Sequence, residues 1–362
     1  MSRLPLKDGL DKTILINKFR KEGNYMLTEK ENYLKILNGE IPEWIPQYNY
    51  GVLSKKVDSP INMAVRPGFL NEHRKPDGGT DIWGVRWVPT YETGNMMLPA
   101  PGEFILTDIR KWRDVIKAPD ISNIDWEAMA KKDLELLNID RSKTAIHFGT
   151  HFGYFQTVMS FMGFNEGLCA MYEEPEEVKE LMNYLADFYL TIAEKLIDLY
   201  KPDIVSLTDD TASELQPFFS REMYVDMLLP LYDKHAKFGR DRGLPITMHN
   251  CGRCEDVMED LFNIGVRGWD PAQTINDLVG IKKKFNNKLV IMGGWDGRGR
   301  LLAPDVTDEE IYESARKSIN TYGPGGGYVF AGQFTGPVDD PVTIRKNAVL
   351  LDAVYELGHS FY

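Results

Sequence analysis

Met248-His249-Asn250-Cys251-Gly252 ends the short apolar run Pro245–Asn250, and a helical pattern follows from Glu255 to Phe262. Strand, polar loop and helix in that order make one β/α unit. In an α/β barrel such a loop lies at the catalytic face. A histidine and a cysteine two residues apart, facing a cavity, suit a metal: zinc takes imidazole nitrogen and thiolate sulfur, and a catalytic site keeps one position open. Inert packing is the competing account, because buried cysteine is common. Cys254 adds C-x-x-C spacing with Cys251, which reads as a redox pair or a metal clip, although its position suits the start of the next helix.

The same alternation runs along the chain. Further strands are predicted at Ile45–Tyr50, Thr144–Gly149, Asp203–Thr208, Val266–Asp270, Leu289–Gly294 and Tyr328–Gln333. Between them, Glu176 to Tyr200 carries Val178, Leu181, Leu185, Phe188, Ile192 and Leu196 at helical spacing, with Pro175 at its start. Thr307 and Glu310 have capping-box spacing, and Asp340-Pro341 opens the final helix. Alternating strands and helices imply a parallel sheet with helices outside. Seven strands and one more, sought between Val65 and Thr107, make a (β/α)8 TIM barrel over residues 46–362. Residues 1–45 form an N-terminal helical extension packed on the barrel or on a second subunit, which leaves a homodimer open. A doubly wound sheet is the alternative, but no Gly-rich dinucleotide fingerprint follows the first strand. Gly323-Pro324-Gly325-Gly326-Gly327 precedes a strand and reads as a turn.

Composition narrows the function. Acidic residues outnumber basic ones by 54 to 42, a net charge of −12. This disfavours nucleic acid, whose binding relies on neutralising phosphates. No run approaches the length of a membrane span. The N-terminus lacks a signal-peptide core, and only three cysteines occur; both point to the reducing cytoplasm.

Polar residues gather at the predicted strand ends: His249 and Cys251; Asp209 and Asp210; Asp270; Asp296; Gln333; and His147 with His151. Of two adjacent aspartates, at most one faces a cavity. Asp270 and Asp296 suit helix capping or arginine orientation as well as catalysis, and His147 and His151 suit packing as well as substrate binding. From Trp44 to Phe104 the chain is rich in aromatic and Met residues, among them Tyr48, Tyr50, Trp83 and Trp87. They read as core or as the wall of an apolar pocket for a planar ligand.

Several stretches resemble the uroporphyrinogen decarboxylase-like superfamily, in particular its corrinoid-dependent methyltransferase branch. They are Asp77-Gly78-Gly79-Thr80-Asp81-Ile82-Trp83-Gly84-Val85, Phe164-Asn165-Glu166-Gly167-Leu168 with Glu174-Pro175-Glu176-Glu177-Val178, His249-Asn250-Cys251-Gly252, Gly268-Trp269-Asp270-Pro271 and Gly293-Gly294-Trp295-Asp296. Together they cover roughly residues 45 to 360. The arginine-rich element of true uroporphyrinogen decarboxylases is missing from Gln47–Val52, while Arg66, Arg74 and Arg86 come later without its spacing. The branch pairs His-x-Cys with a second cysteine near the last strand; here Gln333 stands about there.

That departure makes the chain similar to members that take a methyl group from a methylated substrate, such as aryl methyl ether O-demethylases. The resemblance implies methyl transfer from an O-methylated donor, expected to be a methoxylated aromatic, to cob(I)alamin on a partner corrinoid protein. Zinc would sit on His249 and Cys251, with Asp210, Glu214 or Gln333 completing its shell. Without metal, Asp210 or His249 would be the proton donor. Tyr48, Tyr50, Trp83 and Trp87, with His147 and His151, would hold the substrate. The alternatives are a cofactor-free decarboxylase of another acid and a non-catalytic corrinoid or small-molecule binding module.

Overall fold

The computed structural model describes residues 27–48, 60–61, 65–151 and 153–362. Helix α1 (Glu29–Leu37) begins with a capping box, in which the Glu31 N–H donates to Thr28 Oγ1 and the Thr28 N–H donates to the Glu31 carboxylate. Next come three short antiparallel strands, β1 (Gly79–Thr80), β2 (Arg86–Thr90) and β3 (Met96–Pro99). The remainder alternates. Strands β4 (His147–Phe148), β5 (Ile204–Thr208), β6 (Ile246–His249), β7 (Val266–Ala272), β8 (Val290–Gly294) and β9 (Tyr328–Ala331) form one parallel sheet in that order.

The main helices are α2 (Trp126–Leu137), α3 (Tyr154–Met162), α4 (Phe164–Glu173), α5 (Pro175–Tyr200), α6 (Leu229–Arg240), α7 (Met258–Asn263), α8 (Leu278–Lys284), α9 (Asp308–Tyr322) and α10 (Pro341–His359). The expected start signals are in place. Pro175 opens α5, Thr307 and Glu310 form a capping box on α9, and Asp340 accepts from Val342 N and Thr343 N at the head of α10. Each such cap is worth about 1 kcal/mol.

Sheet neighbours follow chain order without a reversal, which separates this sheet from the doubly wound alternative. Parallel bridges extend it on both sides. Gln47 pairs with Phe330 beyond β9, and Ile61 and Val65 pair with Ala145 and Phe148 beyond β4. The strand predicted at Ile45–Tyr50 is thus a single bridge in its described part, and Tyr50 lies outside the described residues. The further strand sought between Val65 and Thr107 corresponds to pairing at Ile61 and Val65, earlier than expected. The strands that region does form are the antiparallel β1–β3, where the residues of β3 alternate between exposed and half-buried; a parallel strand inside this fold must bury both faces.

Alternation within the parallel strands sorts side chains between two cores. Ala145, Ile204, Val290, Met292, Val329 and Ala331 face inward and pack with Tyr33, Ile36 and Leu37 of α1. Val205, Leu207, Ile291, Tyr328 and Phe330 face the helices. Tyr33 also donates to Met292 Sδ at 2.9 Å. Helix α1 therefore fills the inner face near the start of the strands, each buried side chain stabilising by about 1.5–3 kcal/mol. One step along that face, His147 Nε2 meets Thr247 Oγ1 at 2.9 Å. Among the described residues no helix is long and apolar enough to cross a membrane.

Candidate metal centre and cavity

The inner-face alternation that puts Thr247 above the apolar layer brings His249 and Cys251 to the ends of the strands. Gly252 permits the turn that follows. Its φ is +90°, and a Cβ there would lie 2.3 Å from the Ala212 carbonyl oxygen, so the loop after β5 and the loop after β6 touch backbone to backbone. Asn250 faces the other way and ties the same loops together, its Oδ1 accepting from Thr211 N and its backbone oxygen from Trp269 Nε1.

Asp210, His249 and Cys251 offer an oxygen, a nitrogen and a sulfur that all lie within 4.8 Å of one another. His249 Nε2 is 3.7 Å from both Cys251 Sγ and Asp210 Oδ1. Zinc–nitrogen and zinc–sulfur bonds of ~2.0–2.3 Å at tetrahedral angles place ligand atoms roughly 3.3–3.7 Å apart, so the residues present fit such an ion. The other ring nitrogen, Nδ1, lies 2.8 Å from Asp270 Oδ2. A carboxylate in that position orients a metal-binding imidazole and raises its basicity. Burial opposes charge on His249, but Asp270 and Cys251 together outweigh it and lift the imidazolium well above the usual histidine value. Burial likewise pushes the Cys251 thiol up. A bound cation would reverse both preferences, because metal ligands must give up their protons.

Asp210 also touches the adjoining space. It lines a cavity of about 470 Å³ walled by Ile82, Trp83, Trp87, Met97, Phe104, Phe155, Met159, Phe164 and Phe218. Gln156 Nε2 donates to Asp210 Oδ2 at 2.6 Å while Asp210 Oδ1 accepts from Cys251 N, so the carboxylate is held between α3 and the β6 loop. Asp209 turns the opposite way. It accepts from the N–H groups of Tyr154, Phe155 and Gln156 and from Tyr232 Oη, and so caps α3 from a neighbouring strand.

Of the other residues singled out in the sequence, Trp83 and Trp87 line the cavity. Tyr48 lies in the inner apolar cluster with α1. His147 is buried against Thr247. His151 is buried in a stack of rings with Tyr154, Tyr232 and His235. The Glu214 carboxylate is exposed and paired with Arg298, away from the donor set. Gln333 Oε1 is buried without a hydrogen-bond partner among the described residues. Cys254 donates to the Cys251 and Asn250 carbonyl oxygens behind the loop, where it begins the next helical turn. Sequence reasoning left Asp270 between catalysis and capping or arginine orientation, and overlooked Gln156. Asp270 was accessible in principle, since β6 and β7 pair His249 with it directly; nothing local marks Gln156.

The family model described as Uroporphyrinogen decarboxylase (URO-D) matches residues 106–355. The chain belongs to the URO-D family. Membership implies a (β/α)8 barrel; among the described residues the sheet is an open run of six strands flanked by bridges. A solved structure, "methyltransferase from Methanosarcina mazei", has a similar fold, with a TM-score of 0.57 at 13% identity, covering 92% of this chain and 99% of that one. No curated protein sequence matches the chain.

Proposed function

We propose that this URO-D family member is a methyltransferase that moves a methyl group from an O-methylated aromatic to cob(I)alamin carried by a corrinoid protein. The observation that carries this reading is a nitrogen–sulfur–oxygen donor set, Asp210, His249 and Cys251, whose Asp210 also lines an aromatic-walled cavity. In this reading the parallel sheet closes into a barrel, and the segments bridged to β9 and β4 supply the two remaining strands.

Co(I) is the nucleophile. The carbon–oxygen bond of the ether breaks, its electron pair stays on oxygen, and the methyl carbon bonds to cobalt to give methylcobalamin and a phenolate. The barrier lies in the charge that develops on the leaving oxygen. Trp83 and Trp87 hold the ring, and Gln156 fixes the Asp210 carboxylate beside it. Zinc held by His249, Cys251 and Asp210 would supply Lewis-acid stabilisation of that oxygen. His249, which Asp270 keeps charged in the absence of metal, is the alternative proton donor.

A second reading, decarboxylation of a carboxylic acid, draws support from Arg74 on the cavity wall; it leaves the thiol and imidazole donors without a role. Anaerobic absorbance of cob(I)alamin with the purified protein and a panel of methoxyarenes, methanol and methylamines separates the two. Enzyme-dependent formation of methylcobalamin from a methoxyarene is the expected result. Release of carbon dioxide from an aromatic acid or a porphyrinogen, with no methyl transfer, would replace the proposal with the decarboxylase reading.

A further inference from the structure

The cavity wall offers a ligand few uncommitted hydrogen-bonding groups. Thr157 and Ser160 donate to the backbone oxygens of Gly153 and Thr157. Gln156 is held on Asp210. The Asp81 carboxylate accepts from Trp83 N and Val85 N at 2.9 Å and from Trp87 Nε1 at 2.8 Å. His73 and Arg74, on the same wall, have partners of their own. Both indole N–H groups are used within the protein: that of Trp87 goes to Asp81, and that of Trp83 goes to the Tyr189 hydroxyl oxygen 2.8 Å away. Trp83 and Trp87 therefore present ring surface to a ligand rather than donors.

Tyr189 is the exception. It lies on α5, lines the cavity and is buried. Its hydroxyl oxygen accepts from Trp83, and among the described residues nothing accepts its proton. Burial holds the hydroxyl well above the ordinary phenol range, so it stays a donor. A buried donor without an acceptor is costly, and a ligand oxygen would satisfy it. The Trp83 N–H on the same oxygen polarises the O–H and makes it a better donor. The ring is fixed as well, packed edge-on against Trp83 at 6.0 Å and Phe188 at 5.4 Å between centroids. A donor held in this way discriminates, because a ligand without the matching acceptor leaves it unpaired. Asp81 and Arg66 both act on Tyr189, with opposite sign. The position thus favours neither an anion nor a cation, and an uncharged oxygen suits it.

We infer that Tyr189 is a specificity-determining donor in this cavity, so that the substrate is a methoxyarene bearing a second, uncharged oxygen acceptor such as a carbonyl. This rests on the methoxyarene reading of the same cavity. The aromatic wall takes the ring, the Tyr189 hydroxyl donates to the second oxygen, and the methoxy group is directed toward Asp210.

Binding, measured separately from turnover, tests it. The probes are 3- and 4-methoxyacetophenone and their alkyl counterparts, 3- and 4-ethylanisole, titrated calorimetrically into the full-length protein. Each pair differs mainly by one carbonyl oxygen. In at least one pair the ketone is expected to bind about three- to tenfold more tightly. Tyr189→Phe keeps the ring and removes only the hydroxyl, and it should bring the ketone down to the level of its alkyl counterpart. The readout is the ratio of the two affinities, so a general loosening of the wall does not mimic the effect. An unchanged far-UV spectrum and a melting temperature within a few degrees show that the fold survives. Equal affinity for ketone and alkyl ether in both pairs, no binding of either, or a preference that survives Tyr189→Phe overturns the inference. Methyl transfer with the same KM for ketone and alkyl ether would sink this donor role and leave the proposed function standing. A Tyr189-dependent ketone preference without methyl transfer would do the reverse.

Discussion

Replacing Asp270 by Asn is expected to weaken zinc binding about 10–100-fold while leaving the fold intact. Asp270 is 4% exposed and reaches His249 Nδ1 at 2.8 Å. The substitution is nearly isosteric, so it keeps a hydrogen-bond acceptor but loses the charge that makes Nε2 a stronger donor toward the metal. The expected loss corresponds to about 1.4–2.7 kcal/mol. Competition between apoprotein and a chromophoric chelator measures it. Cobalt(II) substitution adds an independent signal, since the Cys251 thiolate should give a near-ultraviolet charge-transfer band that disappears in Cys251→Ser. His249→Ala should bind neither metal detectably. Glu214→Gln is the control: its carboxylate is exposed and paired with Arg298, so zinc affinity should not change. Wild-type affinity in Asp270→Asn, or an unaltered cobalt spectrum in Cys251→Ser, would refute the assignment of this donor set.

Two further outcomes follow from buried groups. Asp209 is fully buried and accepts five hydrogen bonds, four of them from α3 and Tyr232 and one from Asp210 N, so Asp209→Asn turns an amide N–H2 toward donors and should cost about 2–4 kcal/mol in urea unfolding; a loss below about 0.5 kcal/mol would contradict its role as the cap of α3. Acid should destabilise the protein through His147 and His235, whose values burial lowers to about 4 and about 3. Unfolded histidine titrates near ~6.5, so below that pH the unfolded chain takes up protons that the folded chain refuses; the stability is complete above ~6.5 and is lost as pH falls toward the folded values. Between pH 7 and pH 5 this amounts to nearly 2 kcal/mol per histidine, about 4 kcal/mol together, and a urea midpoint that does not fall over this range would count against it.

Much of this protein is local in origin. The apolar runs at Thr144–Gly149, Asp203–Thr208, Pro245–Asn250, Val266–Asp270, Leu289–Gly294 and Tyr328–Gln333 all became parallel strands, because a strand buried on both faces needs a short continuous apolar segment that stands out from its polar flanks. Helix starts were equally legible, since Thr307 with Glu310 and Asp340 with Pro341 act on backbone within a few residues. The His249–Cys251 pair could be read because strand ends in such a fold face one space. The region from Val65 to Thr107 was misjudged where its half-buried antiparallel strands borrow the residue types of a core.

What the sequence by itself determined is the alternation of strands and helices, their caps, and the nitrogen and sulfur at the end of β6. Only the tertiary structure decided which of Asp209 and Asp210 joins those two atoms, that Asp270 sits behind His249 rather than capping a helix or orienting an arginine, that Gln156 of α3 holds Asp210, and that Glu214 is directed to Arg298 instead. The physical reason is that a strand's pleat settles which side each residue faces, whereas which groups meet across that face depends on register and loop packing between segments far apart in the chain.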